Sequence, residues 1–434
     1  MKSAITKGRP VEIRDPIHGF VKVRPEELKV VDTAFFQRLR RIRQLSCAYM
    51  AYPGANHSRF EHSLGAMHVA GLTSAILVDK GYIDKDAESE LRLAGLLHDV
   101  GHGPFSHLFE ELLHSKTGIT HEDMSSRIVA ETEVGEALAR EGFDPKGMSR
   151  LAVGRAPGRK HFMNEVIAGT LSADIMDYLL RDSYYTGAGF GRVDITRVID
   201  SFEVDEDHLA IESDAIHSFE ALTVARYEMF KAVYFHKTCR AAEAMVVRAM
   251  ELADDELGLT QVQDLSKFAE LDDSEVLCRI MAMKGGSSAK RAQRLVKDFV
   301  ERRLLKCVYE KLMIRKEGIL ESLLNKASVR ADVVAEIAGI AGVDPQDVYI
   351  DVPTTPSVPF TSERERFTEL TVVSRGGPGM KKSKISLADI PAVAAISGFM
   401  DVVRVYTPAK NRDKVGAAVS KVLGESGFST KISV

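Results

Sequence analysis

Apolar residues recur at three- and four-residue spacing over most of the chain between about residues 32 and 250. This spacing predicts amphipathic α-helices, because one helical turn takes 3.6 residues. Ahead of this stretch, residues 10–25 place β-branched residues around the turn sequence DPIHG, which predicts a short extended segment. The first half of the chain is therefore expected to be helical after an extended start.

The pattern changes twice in the second half of the chain. GGSS at 285–288 interrupts the helical spacing, and KRAQRLVKDFVERRLLKCVYEKL then predicts a long basic helix. After residue 345, DVYIDV and DVVRVY are typical of strands, PTTPSVP and SRGGPGMKKSK of loops, and NRDKVGAAVSKVLGE of a helix. We expect a mainly α protein with a large helical domain over residues 1–310 and a smaller α+β domain over residues 311–434.

Composition narrows the classes of function. The net charge of −4 makes a nucleic-acid partner unlikely on composition, but a few local cations suffice to bind a small anion. No apolar run approaches the ~18 residues of a membrane helix, and the N-terminus does not resemble a signal peptide. The four cysteines form no CxxC pair, so neither a thiolate zinc site nor a disulfide framework is indicated. We expect a cytoplasmic protein with no membrane partner.

Histidines are concentrated in one part of the chain. A single histidine is more often an ordinary surface or core residue, but a cluster that contains an aspartate favours metal binding or catalysis. Between residues 57 and 121 the histidines are His57, His62, His68, His98, His102, His107, His114 and His121.

Local patterns place several of these side chains at helix ends. SRFE at 58–61 fits a capping box, which puts His62 in the first turn of a helix. AESELRLAGLLHDV predicts a second helix that stops at Gly101, so His98 and Asp99 end it.

A third predicted helix, NEVIAGTLSADIMDYLLRDS, carries Asp174, Tyr178 and Asp182 on one face. His62, His98, Asp99 and Asp174 together form a nitrogen and oxygen ligand set that suits Fe, Mn, Zn, Co or Ni better than Ca. For Asp174, a solvated acidic face shared with Asp177 is the open alternative.

These stretches also resemble a known family. HDVGHGPFSH, preceded by YPGANHSRFEHSLG and followed by DIMDYLLRDSYYTG, is similar to the HD-domain superfamily, and more closely to its deoxynucleoside triphosphate triphosphohydrolases. DPIHG and FFQRLRRIRQL upstream extend the resemblance, which covers about residues 10–310. It implies an HD-domain helical core and hydrolysis of dNTPs to deoxynucleoside and inorganic triphosphate. Because DPIHG begins at Asp15, we expect no SAM domain of the vertebrate kind ahead of it.

The resemblance implies a role for each matching residue. Metal ligands fall on His62, His98, Asp99 and Asp174, and Mg²⁺ would accompany the substrate. Phosphate contacts fall on Arg59, Tyr178 and Arg226, while Gln44 and Asp182 would hold the sugar 3′-hydroxyl. Leu45 and Tyr234 would exclude a 2′-hydroxyl, and the catalytic group would be His102, His107, His121 and Asp99.

The chain also departs from the family pattern. Ile175 stands where the family has a phosphate-binding lysine, and Phe230 and Phe235 replace polar residues that face the base. A guanine-nucleotide activator site is matched by Asp32, Gln37, Arg40 and Arg302, but Val11 holds the position of its lysine. The resemblance therefore implies a GTP, dGTP or dNTP activator only in part, together with a homo-oligomer, either a dimer or a tetramer.

The chemistry follows from these residue types. A bound divalent metal lowers the pKa of water, Arg59 and Arg226 would offset phosphate charge, and His107 or His121 could protonate the leaving oxygen. The residues alone indicate metal-dependent phosphoester hydrolysis. Two alternatives stay open: an HD-type phosphodiesterase or nuclease, and a non-enzymatic nucleotide-sensing module that uses the basic helix at 290–306.

Overall fold

The computed structural model describes residues 8–314, 324, 326–352, 369–375, 380–386, 389–396 and 399–424. Helices dominate the first part of the chain. They are α1 Pro25–Val31, α2 Ala34–Arg38, α3 Arg59–Asp79, α4 Lys85–Leu97, α5 His107–Thr117, α6 His121–Glu131, α7 Glu133–Arg140, α8 Pro145–Leu151, α9 His161–Ala168, α10 Ala173–Thr186 and α11 Ile195–Asp200.

The remaining helices come after a short β-hairpin formed by Phe202–Asp205 and His208–Glu212. They are α12 Ile216–Met229, α13 Lys237–Leu257, α14 Leu265–Glu270, α15 Asp273–Ala282, α16 Ser287–Val300, α17 Ala327–Ala341, α18 Pro391–Ile396 and α19 Arg412–Leu423. A π-helical turn, Phe230–Tyr234, directly continues α12.

Nine strands form three small sheets among the described residues. The strands are β1 Val11–Asp15, β2 Gly19–Val23, β3 Phe202–Asp205, β4 His208–Glu212, β5 Lys306–Ile314, β6 Tyr349–Asp351, β7 Glu369–Arg375, β8 Met380–Ser386 and β9 Phe399–Thr407. The sheet orders are β1-β2, β3-β4-β7-β8 and β5-β9-β6, and only the β4–β7 pair is parallel. The expectation of a mainly α protein with a small C-terminal α+β part is confirmed.

Helix α3 lies at the centre of the core. Most of its 21 residues are buried, including polar ones, which is typical of a helix packed on all sides. It packs against α4 and α10, the two helices that carry the other candidate ligands. Gly65 permits the approach to α10, because a Cβ there would lie 1.8 Å from Asp177 Oδ1. The core therefore brings three separate parts of the chain to one place.

Several predicted elements are confirmed. The DPIHG segment forms the β1–β2 hairpin, and the SRFE capping box forms at Ser58 and Glu61. The strands expected in DVYIDV and DVVRVY are β6 and β9, and the helix expected at the end is α19. PTTPSVP lies outside the described residues.

The predicted third helix is in fact two helices. The chain leaves α9 at Gly169 in an extended conformation, and Ser172 begins α10 by accepting a hydrogen bond from the N–H of Ile175 at 3.3 Å. Gly101 likewise does not end α4 with a left-handed cap. It allows close packing, because a Cβ there would lie 2.2 Å from the N atom of Ser125.

The predicted long basic helix is wrong beyond Val300. Arg302 has a φ of 56°, and the chain then enters β5, which pairs with β9 from Lys306 to Ile314. The loop expected at SRGGPGMKKSK is wrong for residues 374–375 and 380–384, which belong to β7 and β8. The hairpin β3–β4 also interrupts the stretch expected to be helical.

The boundary at residue 310 stays a prediction, and β5 crosses that position. In the part of the chain that the structure describes, no helix is both long and apolar enough to span a bilayer.

Candidate active site

The candidate metal ligands converge from three helix ends. His62 lies in the first turn of α3, His98 and Asp99 directly follow α4, and Asp174 lies in the first turn of α10. His62 Nε2 lies 3.2 Å from His98 Nε2 and 3.0 Å from Asp174 Oδ1. His98 Nε2 lies 3.3 Å from Asp99 Oδ1 and 3.5 Å from Asp174 Oδ1. The structure thus brings all four predicted ligands together.

The donor set fits a divalent transition metal. Two imidazoles and two carboxylates offer the mixed nitrogen and oxygen donors that such ions prefer. Burial opposes ionisation of Asp174, but hydrogen bonds from His62 and His98 outweigh it and lower the pKa of Asp174. Burial alone would lower the pKa of His62, yet hydrogen bonds to Asp174 and Asp177 raise it to about 10. The surroundings therefore favour positive charge at this point, as a metal site requires.

Asp177 is a candidate functional residue that the sequence analysis does not predict. It was considered only as part of a solvated face with Asp174, but it is fully buried and accepts a hydrogen bond from His62 Nδ1 at 2.8 Å. A carboxylate on the outer nitrogen of a ligating histidine fixes the ring and its tautomer. Asp177 therefore does not belong to a solvated acidic face. The side chain of Asp174 is 35% exposed, but it also contacts His62 Nε2 at 3.0 Å.

A buried network supports Asp177 in turn. Arg181 donates to both of its carboxylate oxygens at 2.8 Å and to Asp15 Oδ2 at 2.9 Å, and His18 Nε2 lies 2.7 Å from Asp177 Oδ1. Asp15 Oδ1 also accepts from the N–H of His18 at 2.9 Å. This network explains DPIHG, whose first and fourth residues support the ligand His62 through Asp177. The DPIHG motif is recognisable in the sequence, but its spacing does not reveal that Asp15 and His18 contact Arg181 and Asp177.

A second histidine group lies beside the ligands. His102 stacks on His121 with ring centroids 4.0 Å apart, and the ring of His107 is 4.9 Å from that of His102. Glu110 accepts from His121 Nδ1 at 2.7 Å and from His107 Nδ1 at 2.9 Å. His102 Nε2 lies 3.3 Å from Asp99 Oδ1, so this group adjoins the ligand set.

These histidines differ in their electrostatic surroundings. Burial, with repulsion from Arg59 and His121, holds the pKa of His102 well below its ordinary value. Burial also opposes charge on His121, but its hydrogen bond to Glu110 raises the pKa of the imidazole. Despite burial, the two histidine contacts lower the pKa of Glu110. The pair Glu110–His121 is therefore suited to hold a proton that His102 does not hold.

A strained turn orients Arg59. Phe105 and Ser106 have φ values of 56° and 58°, which L-residues rarely adopt and which are often found at functional sites. Ser106 Oγ accepts from Arg59 Nε at 2.6 Å and donates to the carbonyl of Arg43 at 2.8 Å. Arg59 Nη1 also pairs with Asp99. These contacts fix the guanidinium against the candidate ligand set.

The candidate sugar residues meet at the far end of α10. Asp182 is buried and accepts from His57 Nε2 and from the Tyr234 hydroxyl, each at 2.7 Å. Burial, followed by the charge of Asp182, raises the pKa of Tyr234 well above its ordinary value. Tyr178 lies between the two ends of α10, with its ring centroid 6.4 Å from that of Tyr234. His57 is a further residue for which the sequence analysis predicts no role.

Arg226, Phe230 and Tyr234 are spaced four residues apart, which predicts one face of an α-helix, but the structure does not continue α12 through all three. Helix α12 ends at Met229, and the π-helical turn changes the angular position of the residues that follow. The three side chains still form a row, because Arg226 lies 5.8 Å from the Phe230 ring and that ring lies 4.8 Å from Tyr234.

Two buried polar groups in this region are unsatisfied. Arg226 Nε and Nη1 and Gln44 Oε1 are inaccessible and have no hydrogen-bond partner among the described residues. Such groups are costly when unpaired, so a ligand that reached them would gain from pairing with them. Gln44 is joined to the site through its N–H, which donates to the carbonyl of His57 at 3.0 Å.

The departures from the family pattern are apolar. Ile175 is 7% exposed, and Phe230 and Phe235 are buried against each other with ring centroids 5.6 Å apart. Leu45 packs with Ala48 and Cys239, while Tyr234 packs with the two phenylalanines. Leu45 and Tyr234 thus belong to two neighbouring apolar clusters.

The candidate activator residues are only partly brought together. Gln37 accepts from Arg40 Nε at 2.8 Å, and Asp32 ends the preceding helix α1. Arg302 instead donates to the carbonyl of Met50 at 3.0 Å. No described contact joins Arg302 to Asp32, Gln37 or Arg40. Val11 is 43% exposed on β1.

Comparison with known proteins agrees with this site. The HD domain family matches residues 59–182, and the HD associated region matches residues 193–427. Fold and site define a phosphohydrolase of the HD type, a class whose domains bind divalent metals. The chain belongs to the family in which an HD domain is followed by an HD-associated region.

Relatives support the same placement. The uncharacterized protein YwfO of Bacillus subtilis is 34% identical over 316 residues, covering 68% of this chain and 71% of that protein. A Dictyostelium discoideum protein described as a deoxynucleoside triphosphate triphosphohydrolase SAMHD1 homolog is 34% identical over 310 residues, covering 69% and 60%. A crystal structure of a hypothetical protein from Aquifex aeolicus superposes with a TM-score of 0.75 at 26% identity, covering 94% of this chain and all of that one. The resemblance to HD-domain triphosphohydrolases is confirmed.

Proposed function

We propose that this protein hydrolyses deoxynucleoside triphosphates to deoxynucleoside and inorganic triphosphate. One observation carries the proposal: α10 joins the metal ligands to a polar group suited to a sugar. Its first turn places Asp174 against His62 and His98, and two turns later Asp182 pairs with Tyr234. The two aspartates are separated by ~12 Å along the helix axis. One ligand could thus contact the metal by its phosphate and Asp182 by its sugar.

Two arginines would offset the charge of the phosphates. Arg59 is fixed beside the ligands by Ser106 and Asp99. Arg226 carries two inaccessible nitrogen atoms without a described partner, and a phosphate oxygen would satisfy them. Mg²⁺ bound to the triphosphate would neutralise further charge. The Dictyostelium discoideum relative is described as a deoxynucleoside triphosphate triphosphohydrolase SAMHD1 homolog, which supports this choice of substrate class.

The histidine group provides the proton. A bound divalent metal would supply water of lowered pKa as the nucleophile. The leaving 5′-oxygen needs a proton, and His121, whose pKa is raised by Glu110, is the best placed donor. His107 shares Glu110 and lies at the solvent side of this group, with its side chain 63% exposed. His102 would remain neutral between them and the ligand Asp99.

The test is an analysis of products. The purified protein is incubated with each dNTP and NTP in the presence of Mg²⁺ and Mn²⁺, with and without GTP or dGTP. Anion-exchange chromatography should show deoxynucleoside and intact triphosphate in equal amounts. Monophosphate with pyrophosphate, or cleavage of cyclic nucleotides or single strands in place of dNTPs, would identify a phosphodiesterase or nuclease. Nucleotide binding without any product would support the sensing module.

Loss of a ligand should remove metal and turnover together. His98→Ala and Asp99→Ala each delete a donor from the ligand set, so bound metal should fall by one equivalent and the rate to background. His114→Ala is the matched control, because His114 is an exposed histidine on α5. Metal content by mass spectrometry, rate and melting temperature are measured on the same samples. A folded Asp99→Ala protein with full metal content and rate would refute the assignment.

A further inference from the structure

A third cluster of metal-binding side chains lies where α9 meets the β3–β4 hairpin. His161 and Glu165 are one turn apart at the start of α9, and His208 is the first residue of β4. One donor atom of each lies within 4.8 Å of the others. None of the three residues belongs to the candidate active site, and their proximity was not predicted from the sequence.

The donors converge on one carboxylate oxygen. His208 Nδ1 lies 2.9 Å and His161 Nδ1 3.3 Å from Glu165 Oε1, and the two imidazole centroids are 4.4 Å apart. Ligands about 2.0–2.1 Å from a tetrahedral zinc ion lie about 3.3 Å from one another. The spacing is therefore close to that of a bound ion, and small side-chain adjustments would complete it.

The backbone holds this arrangement in place. Glu165 is 8% exposed, and its Oε2 accepts from the N–H of Leu209 at 2.6 Å, which leaves Oε1 directed at the histidines. Asp207, at the tip of the hairpin, accepts from the N–H of His161 at 2.8 Å through its side chain. Its carbonyl accepts from the N–H of Phe162 at 2.9 Å. The carboxylate is thus oriented by a partner outside the cluster, as in established metal sites.

We propose that His161, Glu165 and His208 form a second site for a divalent transition metal, of the class Zn²⁺, Co²⁺, Ni²⁺ or Cu²⁺. Two imidazoles and one carboxylate are a known three-residue zinc set that leaves further positions to water. The histidine side chains are 51% and 48% exposed, so the ion would reach the site from solvent. Imidazole donors favour these ions over Mg²⁺ and Ca²⁺.

The bound ion would connect two parts of the molecule. Helix α9 leads through residues 169–172 to α10, and β4 pairs on its other side with β7 from the C-terminal part of the chain. An ion held by α9 and β4 would tie these elements together. Because a metal that binds only the folded chain stabilises it by mass action, occupancy should raise the melting temperature.

The experiment compares metal stoichiometry between matched variants of the full chain. Co²⁺ is the probe, in equilibrium dialysis with metal analysis and visible absorption. The wild type should bind one equivalent more than His161→Ala and one more than His208→Ala. His217→Ala is the matched control, because His217 forms an exposed histidine–glutamate pair with Glu220 at 3.1 Å. Glu165→Gln removes the charge while its amide oxygen can still accept from Leu209.

The outcomes are distinct. The site is supported if His161→Ala and His208→Ala each bind one equivalent less than the wild type while His217→Ala does not. The same two variants should also lose the Co²⁺-induced rise in melting temperature. Equal stoichiometry in the wild type and in all four folded variants, Glu165→Gln included, overturns it. The active-site metal should persist in the variants, since none of the substituted residues contacts His62, His98, Asp99 or Asp174 in the described contacts.

Discussion

At the scale of single residues, the candidate ligand His62 depends on a chain of partners. Its outer nitrogen contacts Asp177, which is paired with Arg181, and Arg181 also pairs with Asp15. All of these side chains are buried, so each charge has its partner in a medium that penalises an unpaired one. Metal affinity and stability are therefore linked through Asp177, and two isosteric variants can separate them.

Asp177→Asn should weaken metal binding by roughly 10- to 100-fold, because the carboxylate that orients His62 is lost. It should also lower stability by roughly 3–5 kcal/mol, since Arg181 loses one of its two partners. Asp15→Asn removes the other partner of Arg181 without touching His62, so it should cost stability alone. Metal titration and denaturant unfolding measure both quantities. Equal metal affinity in the two variants would contradict this role of Asp177.

The raised pKa of His121 sets a pH dependence. If its protonated form supplies the leaving-group proton, the rate falls as pH rises through that pKa, which lies above the ordinary histidine value. Glu110→Gln removes the hydrogen-bonded charge that raises it, so the alkaline limb of kcat/KM should move to lower pH. Glu111→Gln, at the next position of α5, is the control. An unmoved limb in folded Glu110→Gln protein would assign the proton to another group.

The candidate ligands could be predicted to lie together because local sequence signals place them at helix ends. His62 follows a capping box, and His98 and Asp99 end an apolar helix. Asp177 and His57 were missed because their partners are far along the chain: 115 residues separate Asp177 from His62, and 125 separate His57 from Asp182. No spacing rule predicts such contacts, since tertiary packing alone determines them.

At the scale of elements, the π-helical turn after α12 decides how Tyr234 meets Asp182. Such turns insert a residue into an otherwise α-helical repeat and are often found at functional sites. A sequence read with a 3.6-residue period cannot anticipate it. The same reason applies to β5, where the helical period of the basic segment continues past Val300 but pairing with the distant β9 fixes a strand. The small sheet is thus less predictable than the helical core.

The Tyr234 ring should act as a gate against ribonucleotides. A 2′-hydroxyl against packed rings would lose its water without a new partner, at a cost of ~1–3 kcal/mol, or a rate ratio of about 5- to 150-fold. Tyr234→Ala should reduce the preference for dNTPs over NTPs by such a factor. Tyr234→Phe keeps the ring and should keep the preference. Leu45→Ala, in the adjacent apolar cluster, is the second variant.

Competition assays with paired dNTP and NTP substrates give the ratio directly. An unchanged ratio in folded Tyr234→Ala and Leu45→Ala proteins would place the gate elsewhere. A changed ratio in Tyr234→Phe would instead assign it to the hydrogen bond with Asp182.

At the scale of the whole molecule, α16 presents a charged surface. Its apolar side packs into the core, while Lys290, Arg294 and Lys297 are exposed at i, i+4 and i+7 and therefore form one row. Val300, at the end of the helix, is 64% exposed. The helix is shorter than the basic helix predicted and ends at Val300, just before Arg302. Such a row of cations would repel the same row on a second copy of the chain, and an anion bound between the two rows would offset that repulsion.

We predict a homo-oligomer, a dimer or a tetramer, that nucleotide tightens. Two copies that meet through α16 would bring like-charged rows together, which disfavours association, and a triphosphate between them would remove that penalty. Association without nucleotide should therefore increase with salt, because ions screen the repulsion. Light scattering at several protein concentrations, with and without dNTP or GTP, measures the mass. A strict monomer under every condition would refute the assembly, and Val300→Glu should weaken it if α16 lies in the interface.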